Sequence, residues 1–144
     1  MIPYLTSTAT EFFIDMITRE PIFPEHLIGK VKKDEYGAIV TFIGTIRDTT
    51  QGRKVAFLQI SPHGKEAESK LREVVSAAKQ KWQLHDIVIS RRVGKLKVGE
   101  VALIVAVAAP HRYEAFQACQ YIVDKLKKGE ITTETEIYEI NETR

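Results

Sequence analysis

The tripeptide Pro110-His111-Arg112 joins an almost unbroken apolar stretch, Val101 to Ala109, to an amphipathic run, Tyr113 to Lys128. The first reads as a buried strand and the second as a helix. A strand that delivers a histidine and an arginine into the first turn of a helix builds an anion site. The first backbone N–H groups of a helix lack internal partners, and the helix dipole favours negative charge there. The Arg112 guanidinium adds a fork of donors suited to phosphate or carboxylate. The plainer account is a surface histidine and arginine that happen to begin a helix. Lys127 lies fifteen positions after Arg112, roughly 22 Å at about 1.5 Å per residue. No small ligand touches both ends of one straight helix. Either the two ends serve different purposes, or a second copy of the chain brings its Arg112 near the first copy's Lys127. The second option predicts a dimer with a shared site.

Other candidates are weighed the same way. Lysines in a last helical turn are favoured in any protein, so a chemical role for Lys127 needs other cations beside it. Arg47 closes an apolar strand and opens a polar loop, where a charge is either functional or simply solvated. Arg53, across that loop, adds charge or pairs with Asp48. Arg91 and Arg92 face opposite ways if their segment is a strand, so one of them points to a core, an interface or a site. Cys119 lies on an apolar helix face, which favours packing over nucleophilic catalysis. His63 and His85 have no partners at metal-ligand spacing. No phosphate-binding Gly-rich loop, nucleophile elbow or zinc motif is present.

The elements that position these residues follow from periodicity. Gly37 to Arg47 (GAIVTFIGTIR) is apolar on both faces, as expected of a central strand. Lys54 to Ile60 reads as a strand that could pair with it as a hairpin across the polar loop Asp48 to Arg53. Gly64 to Trp82 is a helix whose stripe is Ala67, Leu71, Val74, Val75, Ala78 and Trp82. Asp86 to Val93 is a strand, Gly94 to Glu100 a Gly-bounded turn, and Val101 to Ala109 a second central strand. The helix after it buries Ala115, Ala118, Cys119, Ile122 and Leu126 and stops at Gly129. Shorter elements are expected at Glu11 to Ile17 (edge strand), Pro24 to Lys33 (helix) and Thr135 to Ile140 (strand), with Met1 to Thr10 a loose tail. Irregular alternation and a hairpin favour α+β with a mixed sheet over a doubly wound fold.

Composition narrows the function. The chain has 144 residues, 44% of them apolar, enough for one domain with a real core. Its net charge of +2 is too small for bulk nucleic-acid binding. A single cysteine excludes an internal disulfide and any multi-cysteine metal site, and it fits a reducing compartment. The start shows no signal peptide. The longest apolar runs are about nine residues, short of the roughly 20 that span a bilayer. No nucleic-acid or membrane partner is expected. An RNA- or nucleotide-binding module built on Arg47, Arg91, Arg92 and Arg112 would lack the aromatic stacking motifs such modules use.

Four segments resemble the large, catalytic subunit of molybdopterin synthase: GAIVTFIGTIRD (Gly37 to Asp48), GRKV (Gly52 to Val55), RRVGKLKVGE (Arg91 to Glu100) and HRYEAFQACQYIVDKLK (His111 to Lys127). Their order and spacing match over most of the chain. The resemblance implies a single domain over residues 11–144 with an α/β-hammerhead-like α+β fold, a mixed sheet and two long helices. It implies a cytoplasmic homodimer that binds two ubiquitin-like small subunits as a heterotetramer. The thiocarboxylated tail of the small subunit supplies sulfur to cyclic pyranopterin monophosphate, making the molybdopterin dithiolene without a metal or cofactor. It assigns Arg47, His111 and Arg112 to substrate anchoring, Phe42 to the pocket and Lys127 to catalysis. The family usually follows this helix with a P-x-W-K-[KR]-E segment carrying a second active-site lysine. Here, by count from Lys127, Glu134 takes that place. The candidate substitutes are Lys128 and Lys125, of which Lys125 lies two steps round the helix from Lys127 and is expected to point elsewhere. Family members also tend to carry an EHY-like segment where this chain reads Ser61-Pro62-His63. A non-catalytic relative that keeps the fold and the small-subunit contact is the alternative.

Overall fold

The computed structural model describes residues 17–31 and 33–140. The expected tail, Met1 to Thr10, and most of the expected first strand lie outside them. The strands are β1 (Ile17–Thr18), β2 (Ala38–Thr45), β3 (Thr49–Thr50), β4 (Arg53–Pro62), β5 (Ile87–Arg92), β6 (Gly94–Lys97), β7 (Val101–Ala109) and β8 (Thr132–Tyr138). The helices are α1 (Pro24–Val31), α2 (Ala67–Lys81), entered through a 3-10 turn at Gly64–Glu66, and α3 (Arg112–Leu126). None of the described helices is long and apolar enough to cross a membrane.

Two sheets form the α+β domain. In the first the order is β1-β5-β7-β2. β1 runs parallel to β5, and the other pairs are antiparallel, so the sheet is mixed. β7 is its spine, buried from Ala102 to Ala109. Ile87, Ile89, Leu103, Val105 and Val107 point to one face, where they meet Leu71, Val75 and Ala78 of α2 and Ala118, Cys119, Ile122 and Leu126 of α3. Each fully buried Leu, Ile or Val among them contributes about 1.5–3 kcal/mol. The other face carries Val88 and Ala106, covered by Val31 and Leu27 of α1. The second sheet joins β3, β6 and β8 to β4 around Leu58, Ile60 and Leu96.

The helix stripes agree with the periodicity: the five expected α3 positions and four of the six expected in α2 are buried, with Val74 and Trp82 partly so. Four other expectations are corrected. β2 is an edge strand rather than a central one, and Ile43 on it is 43% exposed. β2 does not hairpin with β4; it pairs along β7 from Ala38↔Ala109 to Thr45↔Val101. β4 instead turns back on the two residues of β3, because Gln51 and Gly52 both take positive φ and close a tight two-residue turn. Gly94 to Lys97 is a strand, not a turn, since Leu96 fills the second core opposite Leu58. The last strand starts three residues early, at Thr132, where Ile131 and Thr132 are already buried and Thr132 pairs with Pro62.

Candidate active site

α3 positions the candidates at two separate places. At its start, His111 stands as the extended residue before the first turn and Arg112 opens the helix, both exposed. A close backbone contact fixes this corner: the Gly37 N–H donates to the Ala109 carbonyl at 3.1 Å, and a β-carbon on Gly37 would sit 1.9 Å from the Pro110 oxygen. An open depression of about 690 Å³ lies here, lined by Gly37, Pro110, His111, Arg112, Tyr113 and Phe116 among others. Tyr113 and Phe116 are 65% and 59% exposed. The turn is not uniformly positive, because Glu114 brings a carboxylate whose Oε1 is buried without a hydrogen-bond partner among the described residues.

At the other end, Lys127 caps α3 and Lys128 follows it, exposed. Gly129, at φ +82, takes the left-handed conformation that reverses the chain, as its place in the sequence predicts. The return leg is pinned by His63. Its Nε2 meets the Thr133 hydroxyl, its Nδ1 lies 3.1 Å from the Glu130 carbonyl, and its backbone N–H donates to the Ile131 carbonyl at 2.8 Å. β8 thereby comes back beside the helix end, and Glu134 Oε2 lies 4.0 Å from Lys127 Nζ. Among the described residues the charge beside the lysine is this carboxylate, the residue that the count from Lys127 puts there.

Alternation puts Thr132, Glu134, Glu136 and Tyr138 in one row on β8. Cations gather along that row. Arg91, whose side chain is only 4% exposed, donates to Glu134, to the Thr132 hydroxyl at 3.2 and 3.3 Å, and to the Ala102 carbonyl at 3.4 Å. The next carboxylate, Glu136, accepts from the Thr50 hydroxyl at 2.7 Å and from Tyr138 at 2.8 Å. These bonds, with the Arg47 charge adding to them, hold its carboxyl below the usual range. Arg53 stacks over the Tyr138 ring at 3.9 Å rather than pairing with Asp48. Of the two adjacent arginines, Arg91 is the one turned inward; Arg92 reaches Glu100 at 2.6 Å and the Arg19 carbonyl at 3.0 Å.

Arg47 therefore shares a strip with Lys127, and not with His111 and Arg112. Arg47 follows the Thr45↔Val101 end of the β2–β7 pair, whereas His111 follows the Ala38↔Ala109 end. Seven strand steps separate those ends, more than about 20 Å at roughly 3.3 Å each. Phe42 lies between, partly buried against the helix-covered core, with its ring leaning over Gly44 toward the Arg47 end. Lys125 points away from Lys127, over the Tyr121 ring at 5.4 Å. Burial pushes the Cys119 thiol up to about 11, so it carries no nucleophilic thiolate near neutral pH. Among the described residues no cluster of His, Cys, Asp or Glu could hold a metal ion.

Comparison with known proteins settles the lineage. The family model described as MoaE protein matches residues 17–129. The chain belongs to the MoaE family. It is 36% identical over 126 residues to the molybdopterin synthase catalytic subunit of Bacillus subtilis (strain 168), which covers 88% of this chain and 80% of that relative. A crystal structure of molybdopterin synthase from Staphylococcus aureus matches with a TM-score of 0.80 at 30% identity, over 88% of this chain and 92% of that one. A complex of subunits 1 and 2 of the molybdopterin-converting factor from Helicobacter pylori 26695 matches with a TM-score of 0.69, over 88% and 90% of the two chains. At 12% identity that last likeness is one of fold.

Within a MoaE chain the row on β8 was the part hardest to foresee. Glu136, Tyr138 and His63 lie outside the four segments that resemble the family; Arg91 lies inside one, but nothing local to it says which carboxylate it meets. The one available signal was the period-two spacing of Thr132, Glu134, Glu136 and Tyr138.

Proposed function

We propose that this chain is the catalytic subunit of a molybdopterin synthase, transferring sulfur from a thiocarboxylated, ubiquitin-like small subunit to cyclic pyranopterin monophosphate. Membership of the MoaE family and the likeness to catalytic subunits support it. The observation that carries it is the splitting of the cations into two groups at opposite ends of α3, with Lys127 and Arg47 at one and His111 and Arg112 at the other. A phosphorylated substrate needs both groups, so two copies must build each site. Exposed Tyr113 and Phe116, and the apolar free edge of β2 with Ile43, are the surface such a homodimer would bury.

In this reading His111 and Arg112 of one copy, with Arg47 of the other, anchor the phosphate through charge-assisted hydrogen bonds. Phe42 backs the pocket and Lys128 adds positive charge at its mouth. Lys127 orients the incoming thiocarboxylate and moves protons during addition and elimination, while positioning supplies much of the rate. The sulfur comes from the partner, which suits a chain whose own thiol is buried and protonated. We place the reaction in a reducing cytoplasm, which keeps that thiol free.

The test is Lys127→Ala in the reconstituted complex. Sulfur transfer falls by on the order of 10²–10⁴-fold, the span of a lost general acid or base, while the dimer and small-subunit binding persist. Wild-type turnover by that variant would remove Lys127 from the chemistry.

A further inference from the structure

Glu134 stands at the junction of a buried cation and an exposed one. Its Oε2 accepts from Arg91 and faces the Lys127 ammonium at 4.0 Å. We infer that Glu134 is a positioning residue: its carboxylate, fixed by Arg91, holds the Lys127 ammonium at the mouth of the sulfur-transfer site. This rests on the catalytic reading of Lys127 above.

The argument is one of unequal mobility. The Lys127 side chain is 48% exposed and rides on four flexible carbons. An exposed ion pair alone orders little. Arg91 changes the case, because its guanidinium is locked by Thr132, Ala102 and Glu134 and almost wholly buried. The carboxylate it holds is therefore a fixed point, reinforced by the His63 bonds that pin Glu130, Ile131 and Thr133 beside it. An ammonium has three N–H donors. At 4.0 Å the contact is an ion pair rather than a hydrogen bond, so the donors stay available for the incoming thiocarboxylate while the carboxylate's charge draws the lysine stem to one side.

Glu134→Gln separates this role from a structural one. The glutamine carbonyl still accepts from Arg91, whereas the charge that draws Lys127 is gone. In the reconstituted complex, with thiocarboxylated small subunit and cyclic pyranopterin monophosphate, kcat is expected to fall about tenfold. KM for the pterin stays at its wild-type value. The melting temperature falls because buried Arg91 loses its carboxylate, so kcat is read at a temperature where the variant is fully folded, and Glu134→Asp restores part of kcat. Three results overturn the inference while leaving Lys127 catalytic: wild-type kcat in Glu134→Gln, a loss of activity that disappears at a temperature where the variant is fully folded, or a gain of activity in Glu134→Lys. Sulfur transfer that survives Lys127→Ala marks instead the failure of the underlying reading.

Discussion

Cys119 shows how one position can lose its chemistry to packing. Its Sγ lies under α3 against the Val105 carbonyl at 3.8 Å, and burial raises its thiol from 9.0 to about 11. The native protein should resist alkylation by iodoacetamide at pH 8 and react once unfolded, and Cys119→Ala should keep full sulfur transfer. The pH dependence has a definite sign. Above 9.0 the unfolded chain releases the thiol proton while the folded chain retains it, so the unfolded state binds fewer protons and stability falls. The contribution is complete below 9.0 and is lost as the pH climbs through about 11. Urea midpoints measured across that window should fall more steeply for the parent than for Cys119→Ala. Equal slopes would contradict the raised thiol.

Two glycines decide where the ends of α3 sit. Gly37 lets the strand end approach Pro110, and no side chain fits the 1.9 Å left for a β-carbon. Gly37→Ala must push Pro110, His111 and Arg112 aside, at about 1–3 kcal/mol for an overpacked contact. Its distinguishing effect is a raised KM for the phosphorylated substrate, measurable at a temperature where the variant is fully folded. Gly129 has open space around it, so its requirement is conformational: at φ +82 an alanine costs about 1 kcal/mol. Gly129→Ala should lower the unfolding free energy in urea titrations by that amount. It should also slow sulfur transfer by loosening the return of β8 to Lys127, without altering substrate KM.

For the whole molecule the decisive question is whether one chain or two complete a site. Arg112→Ala and Lys127→Ala should each be inactive alone. If Arg112 of one copy serves Lys127 of its twin, a mixed dimer of the two variants carries one intact site and one doubly defective site. Random reassortment makes half the dimers mixed, which predicts recovery of roughly a quarter of wild-type activity. No recovery after verified subunit exchange would place the whole site within one protomer. The same experiment tests the dimer surface: Phe116→Asp should prevent both dimerisation and complementation by putting a charge into an apolar contact.

Local rules made the two ends of α3 legible from the chain alone. An apolar run, a Pro-His-Arg corner, a 3.6-residue stripe and a terminal glycine specify strand, helix start, buried face and stop, since each depends only on near neighbours. The stripe Ala115, Ala118, Cys119, Ile122 and Leu126 is buried as its spacing requires. Pairing was not legible, because the apolar character of β2 is the same beside β4 or beside β7, and only the tertiary structure chose β7. The same holds for Arg91 and Glu134, separated by forty-three positions and joined in the folded chain. Sequence fixes which residues carry charge; the meeting of distant strands decides which charges face each other, because that depends on register and sheet order rather than on any local preference.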